Sequence, residues 1–325
     1  MRFLPQFKLE ILTEENFSEG IKIFEKELEN CGNSGFFDTP DGQKLFYEYF
    51  LVENPKASIV IVHGLSEFTK KFSEVTYYFL NQGYNVFVYD QRGHGLSGRM
   101  TDDIDLLHVG KFEDYVEDLS LFIDNVVSKA ETCPIYIYSH SMGGAVSALY
   151  LGKYSEKIKK AVFSAPMFEP TVTVVPMPIA RWGVRVGRLF LGGKAKFPMS
   201  KEFNPEIEQN LAVDQSKARF IYNMNLRRNN RYYQTTPMSF GWTHGSLTVK
   251  AKILRKQMVG NIKTPILLLS SENDRAVNNS AQYEFDSKCA VCTLITIKNA
   301  THSMLSGYPE IINEHVIRVL EFFND

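Results

Sequence analysis

The stretch Tyr136–Val146 reads YIYSHSMGGAV: its first half alternates bulky β-forming residues, and its second half is small and compatible with a helix. Ser141 stands at the junction, between His140 and Met142 and ahead of Gly143 and Gly144. A strand that runs into a serine and then directly into a helix makes a sharp corner of strained backbone, on which the serine hydroxyl stands clear of the sheet. Such a corner closes only if the residues two before and two after the serine are small, here Ser139 and Gly143. Glycine is usual at both places, so Ser139 departs from the pattern, but a hydroxymethyl group is small enough for the turn to survive. The same corner puts the Met142 N–H at a helix N-terminus, facing any negative charge that develops beside the serine.

Outward from this corner, short apolar runs recur: SIVIV before His63, YNVFVY before Asp90, KAVFSA around Ala161, PILLLSS from Pro265 and CTLITI from Cys292. Helical patterns, including Phe112–Ser128 and Ile311–Phe323, lie between most of them. Uninterrupted apolar strands alternating with helices predict a mostly parallel sheet covered on both faces. TPDG (Thr39–Gly42) predicts a hairpin turn within a β pattern that opens at Phe36. The alternation breaks between Phe168 and about Gly260, where a proline-rich start, helical patterns and aromatic clusters replace it. The expected organisation is an N-terminal helical extension (1–35), a core (36–167 and 261–325) and a mainly helical lid or cap insertion (168–260). In a sheet of this kind functional groups gather on loops at the carboxyl ends of strands.

A serine needs a base. Among the seven histidines, His63 and His94 sit beside glycines in early loops and are expected to shape turns. His140 lies inside the corner and points away from the Ser141 hydroxyl. His108 precedes a helix, His244 lies in the insertion, and His315 lies on the last helix. His302, in NATHSML, alone follows the last strand and precedes the last helix, so it is the expected base. An acceptor must hold the other ring nitrogen. Asp274, in ENDRAV, stands several residues past its strand and is better placed than its competitor Glu272. The order Ser141, Asp274, His302 is that of α/β-hydrolases.

With HGLSE (63–67), YDQRGHGLSG (89–98), SHSMGG (139–144), ENDRAV (272–277) and NATHS (299–303), the chain resembles the α/β-hydrolase superfamily, and within it monoacylglycerol lipases and lysophospholipase L2. The stretch TPMSFGWTHGS (236–246) resembles lysophospholipase L2 more loosely. The resemblance implies the α/β-hydrolase fold and an esterase that acts on a monoacyl lipid through Ser141, Asp274 and His302. By position it implies the Leu65 N–H as a second oxyanion donor beside that of Met142. Ser303 departs from relatives that carry an acidic residue after the histidine. Asp90, Arg92, His94 and Ser97, with glycines at 93, 95 and 98, are expected to hold a loop together, and Glu67 is likewise read as structural. The triad would equally serve a thioesterase, a short-chain esterase or an aminopeptidase-type amidase, and a non-catalytic ligand binder on the same fold is the remaining alternative.

Composition sets the outer limits. With 44% hydrophobic and 22% charged residues the chain is of ordinary globular type, and no stretch approaches the ~20 continuous apolar residues that span a bilayer. The opening MRFLPQFKLEILTEENF interrupts its apolar residues with charges, so no secretory signal is expected. Four scattered cysteines favour a reducing, cytoplasmic setting. The Cys289-x-x-Cys292 pair lacks a second metal-ligand pair at zinc spacing. No metal, cofactor or nucleic-acid module is expected. Residues 168–260 hold 15 Lys and Arg against 5 Asp and Glu in a chain of net charge −1. Such a basic block either docks on the acidic remainder or meets an anionic surface, such as phosphate-bearing lipid at the inner face of a membrane. In PIARWGVRVGRLF (178–190), Arg181, Arg185 and Arg188 share one helical face, and Ile179, Trp182, Val186, Leu189 and Phe190 share another. A helix of this kind either packs its apolar face on the protein with its arginines in water or lies at an interface.

Overall fold

The structure is a computed structural model that describes residues 1–6, 8–172, 174–205 and 215–325. Parts of the expected extension (residue 7) and insertion (residues 173 and 206–214) lie outside the described residues. Eight strands form one sheet: β1 (Gly32–Asp38), β2 (Lys44–Phe50), β3 (Ser58–Val62), β4 (Asn85–Tyr89), β5 (Ile135–His140), β6 (Lys160–Ser164), β7 (Ile266–Ser271) and β8 (Cys292–Ile297). Their order is β1-β2-β4-β3-β5-β6-β7-β8. From β4 to β8 every neighbour is parallel, and β2 alone runs against the rest, antiparallel to both β1 and β4. Each apolar run read from the sequence is one of the parallel strands. β3, β4 and β7 are buried along their whole length, which is why they carry no polar alternation. The β1–β2 hairpin turns at Thr39–Gly42, with Gly42 at φ 82°, a left-handed position that glycine takes without a steric penalty.

The sheet begins at Gly32, earlier than the expected Phe36. Gly32–Gly35 is not strongly β-forming in composition, but it is held by pairing with Tyr47–Phe50, a long-range contact that overrides local propensity. The preceding helix, Phe17–Cys31, turns Phe17, Ile21, Phe24, Leu28 and Cys31 inward. Its apolar face joins the core on one side of the sheet, which also takes in Tyr78, Phe79, Val316 and Phe323. The core on the other side holds Tyr115, Leu119, Phe122, Leu149 and Trp242. The expected Phe112–Ser128 helix is Glu113–Phe122, continued through one π-helical turn at Ile123–Val127 and ending at Ala130. The last helix is Pro309–Asn324.

The stretch from residue 168 to 260 contains the helices Met177–Leu191, Lys217–Asn229, Phe240–Ile253 and Lys256–Asn261. Much of its positive charge is turned onto acids elsewhere in the chain. Lys252 pairs with Glu113, Lys250 with Glu284, and Arg231 with Asp105. The most buried of these contacts is Arg219, whose Nε and NH2 donate to Glu74 at 2.9 and 2.5 Å, with a further bond to the Leu12 carbonyl at 2.7 Å. The Phe17 ring lies beneath the guanidinium, 4.6 Å from its centroid. Glu14 accepts from Ser216 Oγ and the Ala218 amide, so the N-terminal segment, the helix Ser73–Asn81 and the helix Lys217–Asn229 meet at one buried ion pair.

A buried pair broken from one side leaves an uncompensated charge, whereas an exposed pair is worth little. Arg219→Leu is therefore expected to lower stability by about 3–5 kcal/mol in urea unfolding, and Lys252→Ala by less than about 1 kcal/mol. Similar losses for the two would contradict this ranking.

Candidate active site

The strand order reverses between β4-β3 and β5, and loops from β3, β5, β7 and β8 converge beyond the carboxyl ends of the strands. At the end of β5, Ser141 has φ 52° and ψ −117° and immediately precedes the helix Met142–Tyr154. Positive φ is costly for a residue with a Cβ and persists only where surrounding structure enforces it. Here a Cβ on Gly143 would lie 2.0 Å from the Val62 carbonyl oxygen, and one on Gly144 would meet Pro166 at 2.5 Å. Both glycines are thus fixed by close approach. Ser139, the departure from glycine, is buried and donates from its Oγ to the Val162 carbonyl at 3.2 Å. The turn accommodates it by bonding it to the neighbouring strand.

His302 comes to Ser141 from the loop after β8. The Ser141 Oγ donates to His302 Nε2 at 2.8 Å, and His302 Nδ1 donates to Asp274 Oδ2 at 2.8 Å. The carboxylate is locked from the other side: Ser271 Oγ donates to Oδ2, and the Ala276 and Val277 amides donate to Oδ1. Burial works against the Asp274 carboxylate, but His302 beside it, with help from Ser271 and the Val277 amide, holds its pKa below the ordinary value. Glu272 is turned away and accepts from the Asn299 amide.

Five of the other histidines lie elsewhere. His63 is buried and accepts from the Gln91 amide, and burial depresses its pKa to about 4. His94 is buried under the same loop, His108 meets Ser239 Oγ, His244 faces Arg188, and His315 bonds the Tyr138 hydroxyl. The loop group is structural in geometry. Asp90 accepts from the Thr69 and Leu96 amides, Ser97 Oγ donates to the Asp90 carbonyl, and Arg92 forks onto Asp118.

The Leu65 and Met142 amides donate to no group among the described residues. Leu65 follows Gly64, where a Cβ would stand 3.0 Å from that of Ser141, so this loop passes directly against the serine. Ser141, His302, Leu65 and Met167 share a cavity of about 370 Å3 with Met238 and Trp242, which come from the 168–260 stretch. These two lining residues were not singled out in the sequence, because nothing local in TPMSFGW marks which side chains turn toward a distant serine. Glu67 and His140 are also at the site. The Glu67 carboxylate accepts from the Gly64 amide and from His140 Nδ1, a pairing across more than seventy residues that no local pattern announces. Among the described residues no group of three or more His, Cys, Asp or Glu is arranged to hold a metal ion, and the four cysteines are unpaired.

The helix Met177–Leu191 meets the solvated-arginine expectation only at Arg185, which is exposed. Arg181 donates to the Leu247 carbonyl and to Glu169, and Arg188 reaches His244 and the Gly110 carbonyl. Trp182, Leu189 and Phe190 are 68%, 79% and 80% exposed. Val184 alone in this helix is buried, against Phe240 and Leu247, and a Cβ on Gly187 would strike the Phe240 ring at 2.3 Å. The narrow face that includes Gly187 fits the protein, so the broad apolar face is left outward.

Comparison with known proteins gives the family and the fold. The serine aminopeptidase S33 family matches residues 53–307. Lysophospholipase L2 of Escherichia coli strain K12 is 28% identical over 306 residues, covering 85% of this chain and 82% of its own. Monoglyceride lipase of Saccharomyces cerevisiae is 30% identical over 161 residues, 43% of this chain and 49% of that one. The crystal structure of a soluble variant of that yeast lipase with a substrate analog shares the fold at a TM-score of 0.73 and 19% identity, over 90% of this chain and 95% of that one. The chain belongs to the serine aminopeptidase S33 family, on the α/β-hydrolase fold, and within it is similar to lysophospholipases L2 and monoglyceride lipases.

Proposed function

We propose that the protein is a carboxylic-ester hydrolase acting on a monoacyl lipid, a lysophospholipid or a monoacylglycerol, through an acyl-enzyme on Ser141. The observation that carries this reading is the continuous line Ser141 Oγ, His302, Asp274, with both hydrogen bonds at 2.8 Å. Ser141 Oγ attacks the acyl carbonyl carbon while its proton passes to His302 Nε2, and Asp274 steadies the imidazolium. The Met142 and Leu65 amides, which have no other acceptor among the described residues, hold the oxyanion. Collapse of the tetrahedral intermediate breaks the ester C–O bond, and the alcohol leaves with the proton from His302. Water, deprotonated by His302, then releases the fatty acid and restores Ser141.

The family description names an aminopeptidase, but the cavity favours an ester. An α-ammonium group needs a carboxylate to receive it. Among the described residues lining the cavity the only carboxylate is Glu67, and it is already engaged by Gly64, Lys71 and His140. The rest of the lining includes Leu65, Met167, Met238, Trp242 and Val277, which suits an acyl chain. The names of the relatives, lysophospholipase and monoglyceride lipase, support the same class.

The outward row on the helix Met177–Leu191 supports contact with a lipid surface. Ile179, Trp182, Leu189, Phe190 and Leu191 are each more than half exposed, and such a row is stabilised by burial in the acyl boundary of a bilayer. The contact proposed is thus mainly apolar, because Arg181 and Arg188 are turned into the protein and Arg185 is the one arginine of this helix that is exposed.

Ser141→Ala and His302→Ala are each expected to lower kcat by about 1,000-fold or more at similar fold stability, and kcat/KM across lysophospholipids, monoacylglycerols, acyl thioesters and aminoacyl amides to favour the oxygen esters. A preference for amides would reject the reading. In vesicle co-sedimentation, the Leu189→Ser/Phe190→Ser double variant should lose about tenfold or more in partitioning, from the lost burial of two large apolar side chains. Wild-type binding to neutral vesicles should persist at high salt. Binding that requires anionic lipid and vanishes with salt would assign the contact to the cations instead.

A further inference from the structure

Behind the serine lies a second hydrogen-bonded line that the ester hydrolysis just described does not use. Glu67, 5% exposed, accepts from the Gly64 amide at 2.5 Å and from His140 Nδ1 at 2.9 Å on one oxygen, and from Lys71 Nζ at 2.6 Å on the other. His140, 6% exposed, donates from Nε2 to the backbone carbonyl of His302 at 3.2 Å. The His140 and His302 rings stand 5.2 Å apart. Every end of this line is one covalent step from a reacting group. Gly64 precedes Leu65, His140 precedes Ser141, and the carbonyl belongs to His302 itself.

We infer that Glu67 and His140 are positioning residues that fix the Leu65 amide, the Ser141 corner and the His302 ring relative to one another. This rests on the hydrolase reading above and adds to it the group that aligns its parts. Both nitrogens of the His140 ring face acceptors, the Glu67 carboxylate and the His302 carbonyl, so one ring ties the two together. Burial alone would raise the Glu67 carboxyl, but His140 and Lys71 beside it hold its pKa well below the ordinary range. Space closes the arrangement: a Cβ at Gly64 would meet Glu67 Oε2 at 2.8 Å and Ser141 Cβ at 3.0 Å. The Gly64 backbone therefore passes close to both, and its amide is tied to Glu67. A displacement of about 1 Å in such parts costs on the order of 100-fold in rate while leaving substrate contacts intact.

The test compares Glu67→Gln, His140→Asn and the double variant, with kcat expressed per active site titrated by a fluorophosphonate. Titration removes any loss due to unfolded protein. Each single variant is expected to lower kcat by about 10–100-fold with KM within about threefold, and the double variant to fall no further than the worse single one. In NMR spectra of 15N-histidine-labelled protein, Glu67→Gln should shift the ring-nitrogen resonances of both His140 and His302. Unchanged kcat per titrated site in both single variants, even at a lower Tm, would make the line purely structural and overturn the inference. His302 resonances unmoved in Glu67→Gln would overturn it as well. Failure of wild type to titrate at all would instead reject the hydrolase reading on which this rests.

Discussion

Ser141 keeps a left-handed backbone, φ 52°, in a chain position where an L side chain is strained. The constraint that holds it there is the contact of Gly143 with the Val62 and His63 carbonyls, where a Cβ would come within 2.0 and 2.7 Å. The first turn of the helix Met142–Tyr154 is thereby seated on the end of β3. That contact brings the loop after β3 against the serine, and the Leu65 and Met142 amides have no acceptor among the described residues. The parallel sheet does the rest. Because β5, β7 and β8 all end on one edge, loops up to 161 residues apart deliver a serine, a histidine and an aspartate to one point.

Second in importance is the way the 168–260 stretch is fastened. Its excess of cations answers the excess of acids in the remainder of the chain, and the pairing is not uniform in strength. Arg219 with Glu74 is buried, while Lys252 with Glu113 and Arg231 with Asp105 are at the surface. The buried contact also recruits the N-terminal segment, through Leu12, Glu14 and Phe17. The helix Phe17–Cys31 and the helix Lys217–Asn229 thus share one anchor, beside the cavity that Met238 and Trp242 close over Ser141.

What could be read from the sequence was what neighbouring residues determine. The parallel strands were legible because strands buried on both faces are written as unbroken apolar runs, and the corner at Ser141 because strand, small residues and helix follow one another directly. His302 and Asp274 were reachable because this topology leaves few polar groups at late strand ends. Pairings across distance were not legible. The start of β1 at Gly32 depends on β2, and the Glu67–His140 bond joins two loops whose proximity appears only after the sheet assembles. The orientation of the helix Met177–Leu191, left between two alternatives by the sequence, was not legible for a similar reason. Its periodicity defines two faces, but which one docks is decided by the Phe240 ring, which admits Gly187 and excludes a bulky row.

The central claim is that Ser141 becomes covalently acylated during turnover. It is tested most directly by quenching the enzyme in acid within milliseconds of mixing with a slow monoacyl ester, then mapping the added acyl mass by peptide mass spectrometry. The account predicts a single acylated peptide containing Ser141 that forms in a burst, decays at the turnover rate and is absent from Ser141→Ala. Turnover with no acyl adduct on Ser141, or with the adduct on another residue, would contradict it.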